Sequence, residues 1–157
     1  MLELSTWQEV HQLYARYVSA IDAEDWQSWI DCFTDDCRYQ IIPRENHEQG
    51  LPLGLLDLKT RAMLQDRVYG ITETLFHDPY YQRHIVGLPL ILRSGGDTID
   101  AEANYTVMRT KADGATTVFN AGRYLDQLVL TNQGWRFRSR ICIYDSEMVP
   151  NSLIYPI

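Results

Sequence analysis

Apolar residues at Val10, Leu13, Tyr14, Tyr17, Val18 and Ile21 recur at three- and four-residue intervals, the spacing that gathers side chains on one face of a helix. Ser5 and Gln8 form a capping-box pattern just upstream, so the spacing predicts a helix over residues 5–22. After "DAED" (22–25) the same interval returns at Trp26, Trp29, Ile30 and Phe33, with Asp25 as N-cap, which predicts a shorter second helix. The β-favouring run "CRYQIIP" (37–43) predicts a strand and the polar "RENHEQG" (44–50) a loop. "LDLKTRAMLQDRVYGI" (56–71) is rich in helix formers and predicts a third helix.

The second half changes period. Turn signals at "SGGD" (94–97), "ADG" (112–114) and "NQG" (132–134) separate β-rich runs over 80–93, 98–110, 116–130 and 135–146, and the short connections predict an antiparallel meander. In the last run, strict alternation places Trp135, Phe137, Ile141 and Ile143 on one face and Arg136, Arg138, Arg140 and Tyr144 on the other. Helices first and a long curved sheet afterwards predict an α+β layer architecture, one domain over residues 1–157. The closing "VPNSLIYPI" (149–157) is too apolar for a free tail and is expected to dock on this chain or on a partner.

Composition narrows the function classes. The 157 residues suffice for a core without disulfides, and 21 acidic against 14 basic residues give a net charge of −7 with no Lys/Arg run, which argues against nucleic acid as a partner. No stretch is long and apolar enough to cross a membrane and the N-terminus lacks a leader pattern, so a cytoplasmic protein is expected. The three cysteines, Cys32, Cys37 and Cys142, have no ligand spacing and read as small buried hydrophobes.

No nucleophile elbow or phosphate loop is present. A Rieske cluster needs paired Cys and His in C-x-H and C-x-x-H spacing, which the chain lacks. "HDPYYQRH", with His77, Asp78 and His84, has the composition of a non-haem iron site. Its Asp-Pro turn separates the three, and Arg83 and His84 read instead as structural or interface hydrogen-bonding residues. Asp35 and Asp36, and the acids of "DAED", read as caps or turn residues, and Tyr17 as a core tyrosine with a bonded hydroxyl.

"RYVSAIDAEDWQSWIDCFTDDCRYQI" (16–41) resembles the opening of the NTF2-like (cystatin-like) superfamily, whose cone packs N-terminal helices on a strongly curved, mostly antiparallel sheet. Ketosteroid isomerases share that cone. Aligned with them, Tyr17 matches their oxyanion tyrosine but Ile41 stands where their proton-transferring Asp should be, so that mechanism has lost its base. A longer resemblance runs through "FTDDCRY" (33–39), "EN" (45–46), "MLQDRV" (63–68), "RHIVG" (83–87), "GRYLDQL" (122–128), "GWRFRSRICIYDS" (134–146) and "NSL" (151–153). It is similar to the small (β) subunits of Rieske non-haem iron aromatic-ring-hydroxylating oxygenases, in particular those acting on carboxylated rings such as terephthalate, salicylate or anthranilate.

That resemblance implies a non-catalytic β subunit, self-associating as a trimer beneath a trimer of catalytic α subunits. The α subunit would carry the Rieske [2Fe–2S] cluster and mononuclear Fe(II), with NAD(P)H-derived electrons supplied by a reductase. Subunit-interface contacts are then expected at Arg83, His84, Arg136, Arg138, Arg140 and Tyr155. Two other classes share the fold: a stand-alone isomerase, dehydratase or cyclase using the cone with Tyr17 and His84, and a ligand-binding module. Convergent polar groups in the cone would favour the enzyme; filling by Trp26, Trp29, Phe33 and Tyr39 is expected.

Overall fold

The computed structural model describes residues 2–146, 148–150 and 152–157. Helix α1 (Leu4–Asp22) buries Val10, Leu13, Tyr14, Tyr17, Ala20 and Ile21, the face its periodicity predicts. Its N-cap is Glu3 without a side-chain cap bond, so Ser5 lies inside the helix and the capping box does not form. The short α2 (Trp26–Ile30) is capped by Asp25, whose carboxylate accepts from the Ser28 N–H at 3.2 Å and its hydroxyl at 2.6 Å. Phe33, expected on this helix, instead opens strand β1 (Phe33–Pro43).

Two local expectations fail for identifiable reasons. The "RENHE" stretch is a helical turn, α3 (Arg44–Glu48), started by Pro43, whose fixed φ suits a helix entry. Residues 56–71 split: β2 (Leu56–Leu58) pairs antiparallel with β1, and α4 (Arg61–Tyr69) begins only after Thr60, whose hydroxyl caps Met63 N. Tertiary pairing of Tyr39 with Leu58 overrides the helix propensity of "LDL". A π turn (Gly70–Thr74) follows α4.

The 80–93 run is also two strands, β3 (Tyr80–Val86) and β4 (Leu90–Gly95), interrupted at Gly87-Leu88-Pro89 because proline cannot donate to a ladder. Both pair antiparallel with β5 (Thr98–Lys111), β3 with its second half and β4 with its first. β5, β6 (Thr117–Thr131) and β7 (Gly134–Tyr144) form the expected meander, and β7 then pairs parallel with β1. The resulting order is β2-β1-β7-β6-β5-β3 in a curled, open sheet against which α1 packs. The α+β cone predicted from sequence is the observed architecture.

One register detail changes the chemistry. Leu128 pairs with Phe137 and Gln127 with Ser139, so Arg138 is an extra residue on β7, a β-bulge. The bulge inverts the alternation beyond it. Arg140, Cys142 and Tyr144 therefore turn into the core with Trp135 and Phe137, whereas unbroken alternation had placed Arg140 and Tyr144 with Arg136 and Arg138 on the opposite face.

Candidate functional site: the cone interior and its rim

Tyr17 on α1, Trp29 on α2, Phe33 and Tyr39 on β1, Tyr124 on β6 and Phe137 on β7 converge inside the cone with edge-on ring contacts of 5.5 to 6.2 Å. Trp29, Phe33 and Tyr39 fill the interior as expected, whereas Trp26 stays half-buried beside Tyr155, and the interior also holds polar groups that converge. Arg140 has 0% side-chain exposure and lies parallel to Asp126, with Nε to Oδ1 at 2.9 Å and Nη2 to Oδ2 at 2.7 Å. The Tyr14 hydroxyl donates to the same Asp126 carboxylate. Four rings, Tyr14, Tyr17, Tyr124 and Phe137, stand 3.9 to 4.9 Å from the guanidinium carbon, a cationic centre caged by aromatic faces.

The apolar C-terminal segment docks on this chain. Ile157 N donates to the Tyr39 hydroxyl at 2.9 Å, and Ile157 O accepts from the Tyr17 and Tyr39 hydroxyls, both at 2.5 Å. Outside the chamber, Arg67 Nη2 donates to the carbonyls of Leu153 and Ile154, and the Tyr155 ring lies 4.7 Å from Tyr80 and 5.5 Å from Trp26. Asn151 of the "NSL" motif lies outside the described residues. Burial pushes the Tyr17 and Tyr39 phenols far above their ordinary range, so both stay protonated donors.

A second polar arrangement sits at the rim. Asp22, at the last turn of α1, holds His84 of β3 by two contacts: Oδ2 accepts from His84 N at 2.9 Å and Oδ1 lies 2.5 Å from Nδ1. Both side chains are buried, and His84 Nε2 has no hydrogen-bond partner among the described residues. A carboxylate on Nδ1 fixes the orientation of the ring. The pair borders a groove of about 840 Å³ between α1 and the β3–β4 connection, lined by His11, Tyr14, Val18, Val86 and Leu88 as well. Sequence reasoning had set Asp22 among the caps; 62 residues separate it from His84, and only the packing of α1 on β3 joins them.

The six residues expected at an interface do not share one surface. Arg140, His84 and Tyr155 are buried within the chain, so their partners are internal: Asp126, Asp22 and the Tyr80–His77 pair. Arg83 is exposed on the outer face of β3. Arg138 reaches Asp36 at 3.0 Å, and Arg136 is half-buried with Nη1 on the Trp135 carbonyl.

The three side chains of "HDPYYQRH" that match an iron site in composition are dispersed, as the structural reading expects: His77 contacts Tyr155, Asp78 pairs with Lys111 at 3.7 Å, and His84 is held by Asp22. Among the described residues no group of three or more His, Cys, Asp or Glu side chains is placed to hold a metal, so this donor set does not fit an iron centre or a Rieske cluster. The thiols of Cys32 and Cys37 are pushed up to about 11 and that of Cys142 to about 12 by burial, which makes them poor nucleophiles at neutral pH.

Comparison with known proteins agrees with this architecture. Residues 3–141 match the SnoaL-like domain family. The small subunit of anthranilate 1,2-dioxygenase from Burkholderia cepacia is 35% identical over 156 residues, covering 99% of this chain and 96% of that protein. The chain belongs to the small (β) subunits of aromatic-ring-hydroxylating dioxygenases. A β subunit of the terminal oxygenase component of terephthalate 1,2-dioxygenase from Comamonas sp. is 31% identical over 143 residues, 91% of this chain and 93% of its own. In three dimensions this β subunit superposes with a TM-score of 0.87 on the β subunit of an aromatic-ring-hydroxylating dioxygenase from Novosphingobium aromaticivorans. That protein is 35% identical, with 96% and 95% of the two chains covered.

Proposed function

We propose that this β subunit is a single structural domain that trimerises and supports a trimer of catalytic α subunits in an α3β3 oxygenase of the cytoplasm. The Rieske cluster and mononuclear iron would reside in the α subunit, fed with NAD(P)H-derived electrons by a reductase. The substrate would be a carboxylated aromatic ring, by kinship with the anthranilate and terephthalate enzymes.

The observation that supports an assembly role is the exposed outer side of β3 and β4. Tyr81, Ile85, Leu88, Leu90 and Leu92 are each more than half exposed there, beside Arg83. An apolar patch rimmed by arginine on an otherwise acidic chain suits a subunit interface better than a solvated face. Exposed Arg138 and half-buried Arg136 are the other candidates for polar rim contacts.

Native mass spectrometry tests the proposal. Mixed with the large subunit of its own oxygenase, the chain should enter an equimolar hexamer whose iron is contributed by the large subunit. A discrete iron-free homo-oligomer that ignores the large subunit would overturn it.

A second reading, a pocket enzyme, is favoured by the polar groups that converge in the cone and by the His84 Nε2 beside the rim groove, which has no partner among the described residues. If the chain is structural, His84→Gln in the reconstituted oxygenase should leave assembly intact and hydroxylation within about threefold of wild type. A loss above about a hundredfold in kcat with assembly unchanged would assign the pair a chemical role.

A further inference from the structure

A hollow of about 380 Å³ opens where α1 and α2 meet the start of β7, and two arginines line it, Arg16 from α1 and Arg136 from β7. The carboxylates of the same hollow are already engaged: Asp25 accepts from the Ser28 N–H and hydroxyl, and Asp31 accepts from Arg61 and from Gln27 Nε2 at 3.0 Å. Arg16 and Arg136 pair with no carboxylate among the described residues, and Arg136 places Nη1 on the Trp135 carbonyl at 3.1 Å. Burial, and then the charge of Arg16, hold the Arg136 guanidinium below its ordinary value, and Asp31 offsets only part of this. By contrast Arg67 and Arg109, which also lack a carboxylate, are held by two carbonyls and by the Tyr80 and Phe119 rings. Two neighbouring cations without a counter-charge are the arrangement that an incoming carboxylate completes.

The hollow does not stand alone. Arg16 also lines a hollow of about 580 Å³ and Arg136 one of about 560 Å³, and those two share Thr131 and Gln133 at the β6–β7 turn. A run of joined hollows is filled by a protein surface, whereas a small ion would fill one. The chain itself carries the complementary charge. Its net charge is −7, and Asp66, Glu73 and Asp113 are exposed, pair with no basic side chain among the described residues and line none of these hollows.

We propose that the Arg16–Arg136 hollow receives a carboxylate side chain from a second copy of this chain. The acid comes from a different part of the neighbouring copy, so the contact is head-to-tail, the kind that closes a ring. The inference rests on the trimer reading above and deepens it: it names a charged contact in addition to the apolar side of β3 and β4.

Sedimentation velocity and native mass spectrometry of the isolated full-length chain test it. Wild type should form a trimer whose half-assembly concentration rises about tenfold or more between about 0.05 M and 0.5 M NaCl, since salt screens a contact between charges. Arg16→Gln and Arg136→Gln should each raise that concentration about tenfold or more at low salt, and the double variant should lose most of the salt response. Arg38→Gln removes an arginine already paired with Asp57, and it should leave assembly unchanged. If the half-buried Arg136 variant does not fold, as read by circular dichroism, the exposed Arg16→Gln carries the same decision.

A wild-type trimer that the arginine variants match in strength and in salt response overturns this inference and leaves the trimer reading standing. A wild-type chain that stays monomeric at every concentration overturns both. Loss of large-subunit binding by the variants with an unaltered trimer would assign the hollow to the unlike chain, and the self-contact would fall.

Discussion

Arg140→Met will destabilise the chain by about 3–5 kcal/mol, a large share of the roughly 5–15 kcal/mol that holds a domain of this size folded. The cause lies in what the substitution leaves behind. Asp126 is buried, and its carboxylate is held by two guanidinium N–H groups at 2.9 and 2.7 Å and by the Tyr14 hydroxyl. Methionine fills most of the volume and contacts the four rings, yet it leaves a buried carboxylate with Tyr14 as its remaining donor. Urea unfolding at neutral pH measures the loss. Arg140→Met with Asp126→Leu should recover at least half of it, because replacing both charges removes the stranded ion rather than exposing it. A single variant that loses less than about 1 kcal/mol would show that water or another cation reaches Asp126, and the internal pairing would be the wrong account.

The same pair bears on register. Asp126 and Arg140 stand directly opposite in the β6–β7 ladder, and the bulge at Arg138 brings them to the core side. A one-residue slip would turn Arg140 outward and strand Asp126. We read the ion pair as a register lock whose energetic return is modest and whose penalty for mispairing is large.

What the sequence made legible follows from what is local. The buried face of α1 and the three turns around β5, β6 and β7 were readable because a 3.6-residue period and Gly-containing turns act within a few residues. β2 was not, because "LDL" owes its strand to pairing with β1 residues 15 to 19 positions away. The face of Arg140 was misread because a period of two was carried through Arg138, and a bulge leaves no mark in a run of alternating arginines. Asp22 with His84 could have been suspected only from parity: His84 falls on the buried side of β3 with Tyr80 and Gln82, where a ring nitrogen calls for a hydrogen-bonding partner. The apolar 149–157 segment announced that it needed cover, while its place inside the cone depends on Tyr17, Tyr39 and Arg67, each on a different element.

Gly122→Ala will lower stability by about 3 kcal/mol, at the upper end of what overpacking costs, and the Tm of a chain this long by about 6–12 °C. A Cβ added at Gly122 would sit 1.9 Å from the Ile143 oxygen and 2.8 Å from both Ile143 C and Tyr144 Cα. These are main-chain atoms of the paired strand, so no rotamer change relieves the clash and β6 must separate from β7. The separation falls two residues from Tyr124 and four from Asp126, which with Leu128 line the interior from the same face of β6. The "GRYLDQL" stretch that carried much of the family resemblance is thus a physical unit: a glycine that lets two strands close, then a tyrosine, an acid and a leucine directed into the cone. Gly95→Ala is the matched control, because nothing lies within 4 Å of its added Cβ, and it should shift Tm by no more than about 2 °C. Equal shifts for the two variants, read by thermal unfolding followed by circular dichroism, would mean that β6 and β7 are looser at this point than their contact distances require, and the closure argument would fail with it.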